Sequence, residues 1–213
     1  KTGSDNKIHV FFVPLPRDQM GLALTEGRVD LVVAQVIVRP ELQAMVDFSS
    51  PARTNVSEVV VAGPGAPSIA SVDDLSGQDV YARRDSSAWK AVEDLNQKLA
   101  VKGLPPVVLR EVPGNLEDDD LLEMANAGIV PLVIAPDYLA EFWQKVFTNL
   151  TVHAAVAVRT GATIAVPFRK NSPKLAAELN AFVARNGLGT AFGNVIEKRY
   201  LVNTTFVKSA TAE

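Results

Sequence analysis

The sequence predicts an α/β protein built on mixed, mostly parallel sheets. Three observations carry this. Short apolar runs rich in Val, Ile and Phe alternate along the chain with segments whose apolar residues recur at helical spacing. Most runs are bounded by Pro, Gly, Asn or Asp. One run, Leu31-Val32-Val33-Ala34-Gln35-Val36-Ile37-Val38, is nearly continuous, as expected of a strand buried on both faces of a parallel sheet.

The elements follow in order. Lys7 to Leu15 reads as a strand stopped by Pro14 and Pro16, and Asp18 then caps a short helix closed by Gly27. Asp30 to Val38 is the buried strand, Pro40 to Met45 a helical turn and Glu58 to Ala62 a further strand. The loop Gly63-Pro64-Gly65-Ala66-Pro67 marks a crossing into a second strand–helix series. There Ser71 to Leu75 is a capped turn and Asp79 to Ala82 a strand. Asp85-Ser86-Ser87 opens a helix to about Val101, with Trp89, Val92, Leu95 and Leu99 on one face. Pro105 to Glu111 is a strand. Asn115 to Asn126 is a helix whose acidic first turn, Glu117 to Asp120, suits the helix dipole. Ile129 to Ala135 is a strand, and Asp137 caps the helix holding Phe142 and Trp143. Val152 to Val158 and Thr163 to Phe168 read as two strands. Ser172-Pro173 starts a helix to about Arg185, and a last helix covers about Thr190 to Tyr200.

Composition narrows function. The 213 residues carry 21 basic and 24 acidic side chains, a net charge of −3, without the basic excess of a nucleic-acid binder. Cysteine is absent and only His9 and His153 are present, which excludes disulfides, a thiolate zinc site and a multi-histidine metal cage. No apolar stretch reaches the roughly 20 residues needed to span a bilayer, and the first residues show no signal-peptide core. The acidic run Glu117 to Asp120 lacks the spacing and Gly of a calcium loop. Gly63-Pro64-Gly65 lacks the Lys of a phosphate cradle, and Ser86 has no nucleophile elbow around it. No metal and no cofactor is expected.

Several segments together resemble a known family. Leu24-Thr25-Glu26-Gly27-Arg28-Val29-Asp30-Leu31-Val32-Val33-Ala34, Val46-Asp47-Phe48-Ser49-Ser50-Pro51 and Asp73-Asp74-Leu75-Ser76-Gly77-Gln78-Asp79-Val80 are similar, in order and spacing, to landmarks of family 3 periplasmic solute-binding proteins. A narrower set resembles the solute-binding-like domain of F-type membrane-bound lytic transglycosylases. It comprises Pro16-Arg17-Asp18-Gln19, Asn115 to Met124, Ala140-Glu141-Phe142-Trp143, Gly189 to Asn194 and the tail from Lys198. The resemblance implies a two-lobe, type II periplasmic-binding-protein-like fold with ligand between the lobes. Residues 1–63 and 162–213 would form lobe one and residues 64–161 lobe two. Lobe one would lack the family's first strand and helix. It further implies a periplasmic, non-catalytic module that closes on a small polar ligand: an amino acid, a peptide or a cell-wall fragment. The partner would be an ABC permease or, in the alternative, an attached lytic domain whose catalytic Glu lies outside this chain.

The same resemblance supplies candidate ligand-binding residues. The family's carboxylate-clamping Arg falls on Leu42, so either Arg39 substitutes from nearby or ordinary α-amino acids are not the ligand. Arg84, Ser86 and Ser87 sit at a helix N-terminus suited to an anion, and plain capping asks for the same serines. Pro136 or Asp137 takes the place of the family's amine-binding Asp, with helix capping the plainer alternative. Tyr138 would floor the pocket or simply pack, and Gln35 stands at a strand end where open α/β sheets bind ligands.

Overall fold

The computed structural model describes residues 9–205 and 207. Eight strands and seven α-helices follow in the order α1 (Met20–Thr25), β1 (Val36–Ile37), α2 (Pro40–Met45), β2 (Asp47–Phe48), β3 (Arg53–Ala62), β4 (Asp79–Ala82), α3 (Ser87–Val101), β5 (Val108–Glu111), α4 (Asp118–Asn126), β6 (Leu132–Pro136), α5 (Asp137–Trp143), β7 (Thr151–Ala165), β8 (Pro167–Phe168), α6 (Pro173–Asn186) and α7 (Ala191–Glu197) among the described residues.

Six strands form one mixed sheet in the order β1-β7-β3-β6-β4-β5, and β2 pairs with β8 in a separate ribbon. Only β6-β4 and β4-β5 are parallel. The pairs β1-β7, β7-β3, β3-β6 and β2-β8 are antiparallel, which corrects the expectation of mostly parallel sheets. The cause is the pair of long strands. β3 and β7 lie side by side in opposite directions, and β1 and β6 pair antiparallel along their outer edges.

Two apolar layers hold this sheet. On one face α3 lays Val92, Leu95 and Leu99 onto Val60, Val80, Leu132 and Ile134. On the other, Leu121, Leu122 and Ala125 of α4 and Ala140 of α5 cover Val59, Val61 and Val133. Strict alternation along β3, with Val60 on one side and Val59 and Val61 on the other, places its Val-Val-Val run between the two layers. Caps follow the sequence closely. The Ser86 hydroxyl accepts from the Trp89 backbone N–H, Ser71 and Asp74 form a capping box, and Pro40 and Pro173 stand in the first turns of their helices.

Three strand expectations are corrected. Residues 9–15 form no strand, and Phe11 and Phe12 are more than four-fifths exposed; Lys7 and Ile8 lie outside the described residues. Strand-forming residues alone do not make a strand: the backbone groups need a ladder partner, and none lies beside this stretch among the described residues. The run Asp30 to Val38 shrinks to β1 and a single antiparallel bridge from Leu31 to Phe168, and Val33 is exposed rather than buried. The two strands expected at Val152 to Val158 and Thr163 to Phe168 are one strand, β7, followed by the two-residue β8. Gly161 continues the strand at φ +68° within an irregular ladder to β3.

Candidate functional site

A cavity of about 200 Å³ lies at the ends of β3, β4 and β6, facing α1, α2 and the segment before β1. Apolar walls come from Leu24, Leu42, Met45 and Ile164, and the polar lining holds four carboxylates and three guanidiniums. This position, beyond the carboxyl ends of the parallel strands β4 and β6, is where open α/β sheets leave a crevice.

Five of the sequence candidates line this cavity: Gln35, Arg39, Ser86, Ser87 and Tyr138. Arg39 reaches across it. Its guanidinium donates to the backbone carbonyls of Asp85 at 2.9 Å and Ser86 at 3.2 Å, beside the start of α3. Burial holds its pKa below the ordinary arginine value. The Tyr138 hydroxyl donates to Gln35 Oε1 from the opposite wall. The Arg53 guanidinium stacks over the Tyr138 ring at 4.2 Å, and burial raises the phenol pKa despite that charge. A third bridge joins Arg17 to Glu117 at 2.6 Å.

The two serines divide their work. Ser86 Oγ caps α3 and donates to the Arg83 carbonyl at 2.7 Å, so its hydroxyl is committed to the backbone. Ser87 Oγ instead donates to Glu58 Oε1 at 2.5 Å. Two candidates lie off the wall. Arg84 is largely exposed, pairs with Glu111 at 3.4 Å and stacks against Trp89. Asp137 accepts from the backbone N–H groups of Ser57 at 3.0 Å and Tyr138 at 2.8 Å, so it fastens α5 to β3.

Two lining residues escaped the sequence reading. Glu58 stands on β3 opposite Pro136 of β6 and Arg159 of β7, and only 1% of it is exposed. Arg83 follows β4 directly, donates to the Leu116 carbonyl at 2.8 Å and pairs with Asp118 at 2.8 Å. A signal existed for Glu58. It is the single charge at the head of the apolar run Val59-Val60-Val61-Ala62, in a strand core on both faces. Arg83 is masked in sequence by its neighbour Arg84.

Burial raises the Glu58 pKa above the carboxylate norm, and the Ser87 hydrogen bond and Arg159 pull it back only in part. The folded protein therefore holds that proton more tightly than the unfolded chain. Its contribution to stability is fully present below the unfolded value of about 4.3 and is lost as pH rises through the raised pKa. Glu58→Gln will match the parent in urea denaturation at pH 4. At pH 8 it will exceed the parent by about 1–2 kcal/mol, the scale of an unsatisfied buried polar group. A stability difference that does not grow between pH 4 and pH 8 refutes this.

Among the described residues no group of His, Asp and Glu comes together to hold a metal ion, and no helix is long and apolar enough to cross a membrane.

The family model for bacterial extracellular solute-binding proteins, family 3, matches residues 2–188. The chain belongs to this family. Its members are binding proteins rather than catalysts, and the chain is a binding protein. Solved structures share the fold. An ancestral arginine-binding protein bound to arginine superposes with a TM-score of 0.73 at 20% identity, over 91% of this chain and 80% of that one. A binding component of an ABC transporter from Wolinella succinogenes, complexed with lysine, gives 0.74 at 16% identity, over 92% and 80%. A Salmonella typhimurium periplasmic binding protein of high arginine specificity gives 0.69 at 18% identity, over 90% and 80%. No curated protein sequence matches the chain.

Proposed function

We propose that this chain is a periplasmic receptor that closes over a small polar solute of the amino-acid class and presents it to an ABC permease. The observation that carries this reading is the polar cavity bridged by side chains from opposite walls: Arg39 to the start of α3, Tyr138 to Gln35 and Arg17 to Glu117. In this reading the described residues fall into two lobes, one drawn from 1–63 with 162–213 and the other from 64–161, joined by β3 and β7, and the Val59 to Val61 run of β3 packs with the second. The relatives bound to arginine and lysine support the amino-acid class.

Arg39 serves closure, because it holds the carbonyls of Asp85 and Ser86 from across the cavity. Hydrogen bonds to a charged group contribute about 1.5–3 kcal/mol each. Losing the bridge makes the closed state harder to reach. Arg39→Ala will bind its solute roughly 10–100-fold more weakly in calorimetric titration, chiefly through faster release. Unchanged affinity would remove Arg39 from closure, and failure of the parent to bind any of the twenty common amino acids would remove the amino-acid class.

A second reading, a ligand-sensing regulatory domain of a lytic transglycosylase, has one observation in its favour. Three of the segments that carry that narrower resemblance meet in space: Arg17 pairs with Glu117, and the Trp143 indole donates to Asp119 at 2.7 Å. Binding of soluble peptidoglycan fragments in preference to free amino acids would favour it.

A further inference from the structure

We propose that Glu58 and Arg83 form the charge pair that holds the ligand, Glu58 accepting from an ammonium group and Arg83 donating to a carboxylate, so that the solute is a small zwitterion. This rests on the solute-binding reading above and assigns the two ends of the ligand to side chains off the family's usual clamp positions.

Among the described residues two buried side-chain polar atoms lack a hydrogen-bond partner, Glu58 Oε2 and Arg83 Nε. One is an acceptor and the other a donor. Both side chains are more than nine-tenths buried, and both residues line the same cavity. Leaving a buried polar atom without a partner is costly, so two residues of opposite charge that line one cavity, each with such an atom, point to a ligand that completes both.

The remaining contacts explain why these atoms are held back. Glu58 Oε1 is fixed by Ser87, while Oε2 faces Arg159 at 3.4 Å as an ion pair without a hydrogen bond. Arg83 spends its two terminal nitrogens on the Leu116 carbonyl and Asp118, which aligns the guanidinium and leaves Nε. The two come from opposite faces of the sheet, Glu58 from the α3 side and Arg83 from the α4 side. They flank the end of β6, where Pro136 has no N–H to offer. With β6 between β3 and β4, their backbones stand about two strand spacings, roughly 10 Å, apart. Two long side chains leaning over that gap leave room for a small molecule between them.

The sequence candidates do not compete for these roles. Arg39 is spent on backbone carbonyls, Asp137 on backbone N–H groups, and Leu42 adds only apolar wall. A neutral solute would leave Glu58 Oε2 and Arg83 Nε without a hydrogen bond, whereas a zwitterion completes both with charge-assisted hydrogen bonds.

The test is calorimetric titration with the twenty common amino acids, followed by the N-acetyl and carboxamide derivatives of the tightest binder. The parent protein will bind the free amino acid and lose about 100-fold on blocking either end, as sites built around a polar group reject analogues that lack it. Glu58→Gln and Arg83→Lys, which keep size or charge, will each weaken binding at least about 30-fold, and melting curves will show both variants folded. If the blocked derivatives bind as well as the free amino acid, or Glu58→Gln binds within threefold of the parent, the proposal is overturned and buried water satisfies the two atoms instead. If a solute with one charge or none binds and no zwitterion does, the solute-binding reading stands and the zwitterion assignment falls. If no solute binds, both fall.

Discussion

Saturated with its solute, the protein will melt about 8–16 °C higher than without it. A ligand that binds only the native state stabilises it by about 4.1 kcal/mol at a thousandfold excess over Kd. A domain of 150–250 residues gains about 2–4 °C per kcal/mol. The shift should be large because the solute relieves costs already present in the ligand-free fold, the half-satisfied Glu58 and Arg83 among them. Differential scanning fluorimetry across the common amino acids reads it directly. The shift must scale with the logarithm of solute concentration. A rise of a degree or less at millimolar concentration of every candidate would defeat the amino-acid reading.

The second large effect concerns a turn with no part in binding. Gly63 ends β3 against the C-terminal end of α4, and its N–H donates to the Pro131 carbonyl at 2.9 Å. A Cβ there would stand 2.2 Å from the Ala125 carbonyl oxygen and 3.1 Å from that of Val130. Both neighbours are backbone, so no side chain can swing aside. Gly63→Ala will therefore cost about 3 kcal/mol or more, at the upper end of overpacking penalties, and lower the melting temperature by about 6–12 °C. Urea denaturation measures it, and a loss under about 1 kcal/mol would mean that the α4–β6 turn yields freely.

Helix limits were legible because their signals are local. Ser86 ahead of an apolar-spaced run, Pro40 and Pro173 in first turns, and the box of Ser71 with Asp74 all act within a few residues of themselves. Strand pairing was not, because direction and partner are decided by segments far apart. Thr163 to Ala165 belongs with Thr151 only through the ladder to β3, and the exposed His9 to Val13 stretch shows that composition does not supply a partner. The site divides in the same way. Ser86 and Ser87 sit at a helix start, where sequence marks them, whereas Gln35 lines the cavity from just before the antiparallel strand β1 and not from the carboxyl end of a parallel one. Glu58 left only a faint signal, because a lone glutamate before an apolar run reads as solvent-facing until Pro136 of β6 and Arg159 of β7 pair beside it.

The ladder between β3 and β7 slips register between Arg53 and Val56, Val56 and Glu58, Glu58 and Val59, and Val59 and Val60. A ribbon interrupted so often behaves less like a girder than like a compliant joint, with torque concentrated where pairing is weakest. Glu58 sits between two of those slips. The carboxylate proposed to meet the solute is thus mounted on the joint itself.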